Sequence, residues 1–389
     1  MNRLAVGGPA INTLSAAAIL SSDFDILLVA GEPMRDEQSA DFLLDQYKGF
    51  RVEHIRSLRR TVLPLQDIRS YYSIKKLIRN FKPDIIHTHG AKPGVVGRLA
   101  GWRMKVPVII HTFHGHVFHS YFSLFVSKRV VWIERLLAKV STAIIAINQT
   151  LKDELVNEYK IADAEKVKLI RLGVETEHFK DADGEKRKIF RREFSLSENE
   201  LAIGIIGRLV PVKQHTLFIE IAEQLLQSAK IKLRFFIVGN GPEKGNLEKL
   251  LLQKRIPYTH TGSAFDVAAQ FVFTSWRHDM DVVYAGLDIV MLTSLNEGTP
   301  VSIMEAMSAA KPVVSTTVGG VAELIETGKT GFAGISKKQL TEQVLQLIED
   351  PALRKEIALN AVQFAGIHLS KAFETEQLKK LYIEQLHRN

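Results

Sequence analysis

The stretch Glu297-Gly-Thr-Pro-Val-Ser-Ile-Met-Glu305 decides how the rest of this 389-residue chain is read. Just upstream, the apolar residues 287–293 predict a strand and residues 294–298 a loop. Thr299 then stands where a helix N-cap belongs and Pro300 at the first helical position, where the missing proline amide costs nothing. Glu297 therefore falls in the loop and Glu305 inside the helix. The unpaired amides of a first helical turn, at the positive end of the helix dipole, form a pocket for phosphate oxygens. Two carboxylates beside such a pocket require a ligand that carries hydroxyl donors as well as phosphate.

A doubly charged phosphate group also calls for fixed cations. Gly207-Arg-Leu-Val-Pro-Val-Lys213 follows the strand-like residues 201–206, which makes Arg208 and Lys213 the candidates. A nucleotide-sugar satisfies both halves of the pattern, its diphosphate taking the amides and cations and its hydroxyls donating to the carboxylates. Together the Gly-Arg-x4-Lys and Glu-x7-Glu segments resemble the retaining glycosyltransferases of the GT-B fold, the glycosyl-group-1 type found among bacterial surface-polysaccharide enzymes. The resemblance continues in Phe236-Ile-Val-Gly-Asn-Gly-Pro242, in Trp276-Arg-His-Asp-Met280 with Tyr284-Ala-Gly-Leu-Asp288, and in Pro312-Val-Val-Ser-Thr-Thr-Val-Gly-Gly-Val-Ala-Glu323. In the N-terminal half it rests on Gly7-Gly8-Pro9-Ala10, His87-Thr-His-Gly90 and His111-Thr-Phe-His-Gly-His116.

The resemblance implies an α/β chain of two doubly wound Rossmann-like domains facing across a cleft. Residues 1–175 would form an acceptor-side domain, joined by a C-terminal helix at about 367–389, and residues 176–366 the nucleotide-sugar domain. It also implies roles. Glu297 contacts the donor sugar and Glu305 the ribose, while Arg208 and Lys213 bind the diphosphate and offset its charge as it leaves. Gly207, Gly298, Thr299, Pro300 and Val301 complete the donor pocket. His114 lies near the anomeric centre, and Gly7 and Gly8 let the backbone approach the donor phosphate or the acceptor. The implied reaction moves a hexose or N-acetylhexosamine, with retention, from a nucleoside diphosphate sugar to a lipid-linked or saccharide acceptor in cell-surface polysaccharide synthesis. UDP is the preferred leaving group, with no metal and no cofactor. Two alternatives share the architecture: a UDP-sugar 2-epimerase, and a non-catalytic partner protein.

Composition fits this reading. The length suggests two cores, and the absence of cysteine excludes a disulfide framework and thiol chemistry. Apolar runs such as residues 106–110 and 143–147 are too short to span a bilayer, and residues 11–22 are not read as a signal peptide, so a cytoplasmic protein is expected. Charge is uneven: residues 51–139 hold 17 Lys and Arg against 4 Asp and Glu. Such a field attracts an anionic membrane or a lipid diphosphate. Residues 121–139 mix aromatics with cations as interfacial helices do, which makes them a candidate peripheral contact on the inner face of the membrane; a packed helix with a solvated basic face is the plainer alternative. No nucleic-acid-binding module accompanies the charge.

Strands are predicted near 25–30, 84–87, 107–112, 143–147 and 167–170, then near 202–206, 233–238, 287–292 and 312–316. One feature is out of place. The Gly7-Gly8 turn should follow the first, central strand of a doubly wound sheet, yet six residues precede it. An upstream start, a damaged remnant, or a minimal strand at residues 3–6 are the three explanations, the first being favoured. Three other patterns are set aside. Gly239-Asn-Gly-Pro-Glu-Lys-Gly245 misplaces the third glycine of a dinucleotide fingerprint. Asp23-Phe-Asp25 precedes its strand instead of ending it, and Asp279-Met-Asp281 reads as a helix N-cap. His87, His89, His111 and His116 are assigned to two strand-end loops without a convergent carboxylate, so zinc is not expected.

Overall fold

The computed structural model describes residues 1, 3–5, 8–33, 39–59, 63–115, 124–262, 266 and 268–388. The chain forms two compact units, Met1–Gly173 with Lys371–Asn389, and Val174–Ser370.

In the first unit, β1 (Leu27–Ala30) pairs in parallel with β2 (Arg51–His54). A separate parallel sheet runs in the order β3 (Ile85–His89), β4 (Val108–Phe113), β5 (Ala143–Ala146), β6 (Val167–Leu169). Every residue of β4 and β5 is buried, as expected of strands covered on both faces by helices. The helices Gly8–Leu20 and Lys371–His387 close one face, with Ala16, Leu20, Leu378 and Leu381 packed on Val108 and Ile110. Their junction is polar. Glu374 Oε2 accepts from Asn12 Nδ2 at 3.0 Å, from the Gly173 amide at 2.8 Å and from Lys371 Nζ at 2.5 Å. On the other face, Ile78 of the helix Pro64–Phe81 and Ala100 of the helix Ala91–Arg103 form a second cluster.

The second unit is one parallel sheet of seven strands: β7 (Glu200–Ile206), β8 (Lys232–Val238), β9 (Tyr258–His260), β10 (Phe271–Ser275), β11 (Ile289–Leu292), β12 (Val313–Thr316) and β13 (Phe332–Gly334). Their order is β13-β12-β11-β7-β8-β10-β9. Strand alternation sends neighbouring phenylalanines to opposite faces: Phe235 stacks on Phe271 at 5.0 Å, while Phe236 meets Phe190 and Phe194 at 5.0 Å each. The chain enters at β7, travels to one edge, then returns to β11 on the other side of β7. The carboxyl ends of β7 and β11 therefore flank the point where strand order reverses, which is where open α/β sheets bind ligands.

Several expectations shift. The helix after β11 begins at Val301, not Pro300; Pro300 is extended (ψ 104°) and supplies the capping carbonyl to the Ile303 amide, so Thr299 lies outside the cap. Strands β2, β9, β10 and β13 escape the sequence reading because each is short and lacks a long apolar run. His87, His89 and His111 sit within β3 and β4 instead of in loops. Residues 3–5 make no named strand; Ala5 forms an isolated antiparallel bridge with Ser39. Among the described residues no helix is long and apolar enough to cross a membrane.

Candidate active site

The loops after β7 and β11 are tied together before any side chain is considered. The Leu295 amide donates to Val212 O at 2.8 Å, and Thr293 Oγ1 donates to Gln214 O at 3.0 Å. Lys213 closes the 3₁₀ turn Pro211–Lys213, and its Nζ reaches Glu297 Oε1 at 2.6 Å. Ser294 Oγ donates to the same oxygen at 2.5 Å. One carboxylate oxygen, Oε1, thus takes both bonds that hold Glu297 in place.

Glu305 lies on the helix Val301–Ser308 and accepts a hydrogen bond from Tyr284 Oη at 2.8 Å; that hydroxyl also lies 3.2 Å from Ser302 O. Burial pushes the Glu305 carboxyl up to about 7, against the Tyr284 bond that lowers it. Burial likewise drives the Tyr284 hydroxyl well above its ordinary range, so it stays a donor. Arg208 is half-buried just after β7, beside Gly207. Gly239 and Gly241, on either side of Asn240, serve backbone packing at this edge: a Cβ on Gly239 would stand 2.0 Å from Gly207 O, and one on Gly241 2.3 Å from Leu209 O. Gly298 O accepts from the Gly320 amide at 2.9 Å, linking the loop after β11 to the one after β12.

The predicted residues of this unit thus converge on one sheet edge. Three others there were missed. Ser294 and Tyr284 hold the two carboxylates, and His215 is buried at the start of the helix His215–Ser228 with neither ring nitrogen bonded. Burial lowers its pKa to about 4. No local pattern pairs Tyr284 with Glu305 across 21 positions; a serine three residues before Glu297 was the one readable signal.

In the first unit, His114 follows β4, and its Nε2 lies 2.9 Å from His89 Nδ1 with the rings stacked. His87 bridges Tyr382 Oη at 2.6 Å and Thr112 Oγ1 at 2.7 Å. Loss of solvent lowers His114 to about 4 and His87 to about 3, so both are neutral near pH 7. Gly8 opens the helix Gly8–Leu20, whereas Gly7 and His116 lie outside the described residues. Among the described residues, no three His, Asp or Glu side chains are placed to hold a metal ion. The two Asp-x-Asp patterns are spent on ion pairs: Asp23 with Lys379, and Asp281 with Lys186. Asp279 holds the N-cap position of the helix Met280–Gly286, but its carboxylate binds Arg277 instead of capping.

Residues 186–364 match the family described as glycosyl transferases group 1, and residues 14–178 match glycosyltransferase family 4. This chain is a glycosyltransferase with a group 1 domain and a family 4 domain. An Escherichia coli relative, UDP-Gal:alpha-D-GlcNAc-diphosphoundecaprenol alpha-1,3-galactosyltransferase, is 29% identical over 313 residues, covering 80% of this chain and 76% of that one. The capsular polysaccharide biosynthesis glycosyltransferase CapM of Staphylococcus aureus is 24% identical, covering 87% and 86%. Among solved structures, Anabaena HepE in complex with UDP superposes with a TM-score of 0.77 at 22% identity over 97% of this chain and 96% of that one. WaaG, a glycosyltransferase involved in lipopolysaccharide biosynthesis, gives 0.73 at 16%, covering 96% of each. The two Rossmann-like units of this glycosyltransferase are those of the GT-B fold.

Proposed function

We propose that this glycosyltransferase moves a hexose or N-acetylhexosamine from a UDP-sugar to a hydroxyl of a lipid-linked or saccharide acceptor in surface-polysaccharide synthesis, with retention of configuration. The observation that carries the reading is Glu297, fixed through one oxygen by Lys213 and Ser294 at the carboxyl edge of β7 and β11. A carboxylate so held accepts sugar hydroxyls in a set orientation. Lys213 and Arg208 offset charge on the departing diphosphate, the amides after Glu297 take its oxygens, and Glu305 accepts from the ribose. Neutral His114 orients the transferred sugar without adding charge near the anomeric centre. The name of the Escherichia coli relative pairs a UDP-sugar with a lipid diphosphate acceptor, which supports both ends of the proposed reaction.

A lipid-linked acceptor also gives the exposed face of the helix Leu124–Val140 a purpose. Trp132 is 61% exposed, beside exposed Ile133 and Leu136 and the cations Lys128, Arg129 and Lys139. Such a face rests on an anionic bilayer.

The test is UDP release from a panel of UDP-sugars, with and without membrane lipid extract, for the chain and for Glu297→Ala. Acceptor-dependent release that falls on the order of 10²-fold or more in the variant is expected. Conversion of the donor without acceptor would replace the reading by an epimerase, and folded protein releasing UDP from no donor would replace it by a non-catalytic role.

A further inference from the structure

The second unit carries another concave site, at the edge of its sheet opposite to Glu297. β11 begins at Ile289 and β12 at Val313, so Asp288 and Lys311 stand at the amino ends of these strands. The loop that holds Glu297 follows the carboxyl end of β11. The four residues of that strand set the two edges roughly 13 Å apart. A pocket of about 240 Å³ lies at the amino edge, lined by Asp288, by Lys311 and by one face of the helix Pro351–His368. Pro351, Arg354, Lys355 and Ala358 occupy positions i, i+3, i+4 and i+7 of that helix and so share the face. The volume falls below the roughly 300 Å³ at which pockets for drug-sized ligands begin. There is room for a small group, not for a whole nucleotide.

Charge at this pocket is one-sided. Lys311, Arg354 and Lys355 meet a single lining carboxylate, Asp288, and that carboxylate is already engaged. Its Oδ1 accepts from Arg187 Nη2 at 2.7 Å; its Oδ2 accepts from the Ala202 amide at 2.8 Å and from Arg191 Nη1 at 3.4 Å. Two further acids nearby are committed to backbone: Asp350 caps the helix through the Ala352 and Leu353 amides, and Asp181 takes the amides of Lys186 and Arg187. Glu356 is exposed and lies about 100° round the helix from Lys355.

The cations, in contrast, keep donors to spare. Lys311 Nζ gives one of its protons to Ala285 O at 2.8 Å. Arg354 spends Nη1 on Leu347 O at 2.7 Å and Ile348 O at 3.4 Å, which leaves Nε and Nη2. Lys355 Nζ meets no acceptor among the described residues. Burial, with repulsion from Arg187 added, lowers the Lys311 pKa to about 8. Three cations on one concave wall repel each other, and an anion between them removes that repulsion.

We propose that this pocket binds a phosphate or diphosphate group, held by Lys311, Arg354 and Lys355 and separate from the donor pocket. Arg354 supplies the forked donors that suit phosphate oxygens, and the two lysines supply compact charges. The first amides of the helix are taken by Asp350, so recognition falls to side chains.

The experiment titrates inorganic pyrophosphate by calorimetry into the full chain kept in excess UDP, which occupies the donor loops. The same titration is run on Lys355→Ala and Lys355→Arg, and hydrogen exchange is followed at the amides of Lys311 and residues 352–358. Saturable binding is expected, weakened at least tenfold by Lys355→Ala, largely restored by Lys355→Arg, and accompanied by slower exchange at those amides. UDP affinity should be equal in all three proteins. Sedimentation with phosphatidylcholine vesicles, with and without phosphatidic acid, identifies the source: binding to phosphatidic acid that needs Lys355, without binding of pyrophosphate, assigns the group to a lipid, and the reverse assigns it to a soluble molecule. Binding of neither, or binding that Lys355→Ala leaves unchanged, would overturn the proposal. Because Lys355 is exposed, its replacement leaves the fold in place. None of these readouts involves glycosyl transfer, so failure here leaves the transferase reading untouched.

Discussion

Among the described residues, the second unit places seven strands in one parallel sheet, whereas the first divides six between two sheets, with β1 and β3 both lining a cavity. Both alternate strands with helices, and both carry predicted site residues at strand ends. The difference shows how a sheet transmits order to its loops. Lys213 and Glu297 follow β7 and β11, adjacent strands bonded to each other in the interior of a complete sheet, so the ladder itself sets their separation. His114 follows β4, whose partner β3 borders the cavity, and it leans on His89 of that same border strand. The first unit also keeps its most enclosed charges as a pair. Arg98, fully buried, pairs with Glu134, 2% exposed, at 2.6 Å.

The largest expected effect breaks that pair. Glu134→Ala leaves the Arg98 guanidinium buried and uncompensated, a cost of about 3–5 kcal/mol. Hydrogen exchange followed through denaturant should show β3 to β5 opening early while β7, β8 and β11 keep their protection; a matching loss in both units would erase the contrast drawn here.

Acid should separate the units next. Burial lowers His87 to about 3 and His114 to about 4, below the ordinary 6.5, so between those values the unfolded chain binds protons that the folded unit does not. The stability these rings contribute is present above pH 6.5 and is lost as pH falls toward 4, on the order of 2–3 kcal/mol per ring at most. The second unit holds His215, lowered to about 4, and His260, lowered by partial burial, and should lose less. Amide protection of β4 and of β7 from pH 7 to pH 4 checks this, and parallel losses would count against it.

The smallest effect sharpens the donor side. Because the Tyr284 bond lowers the Glu305 pKa, Tyr284→Phe should raise it above about 7, moving the alkaline rise in UDP-glucose affinity upward by roughly half to one pH unit. UDP-glucose is the right ligand, since its diphosphate has no proton titrating near neutrality. An unmoved midpoint would mean that Glu305 does not govern donor binding.

Much of this site was legible because its signals are local. Pro300, the Glu-x7-Glu spacing and the apolar runs before Gly207 and Ser294 each act through short-range backbone preference, and they located the loops to within a residue. The helix start slipped by one because a proline can cap with its carbonyl as readily as open the first turn, and only the extended ψ of Pro300 distinguishes the two. The four short strands went unread because neighbours, not propensity, make them strands.

Sequence alone determined the α/β alternation, the two-core length and the group 1 pattern, all of which are periodicity, spacing or count. Tertiary structure decided that Lys213 and Ser294 share one oxygen of Glu297, that Tyr284 holds Glu305, and that three histidines line a sheet instead of loops. Those are contacts between residues far apart in the chain, fixed by which strands lie side by side, and no local preference encodes them.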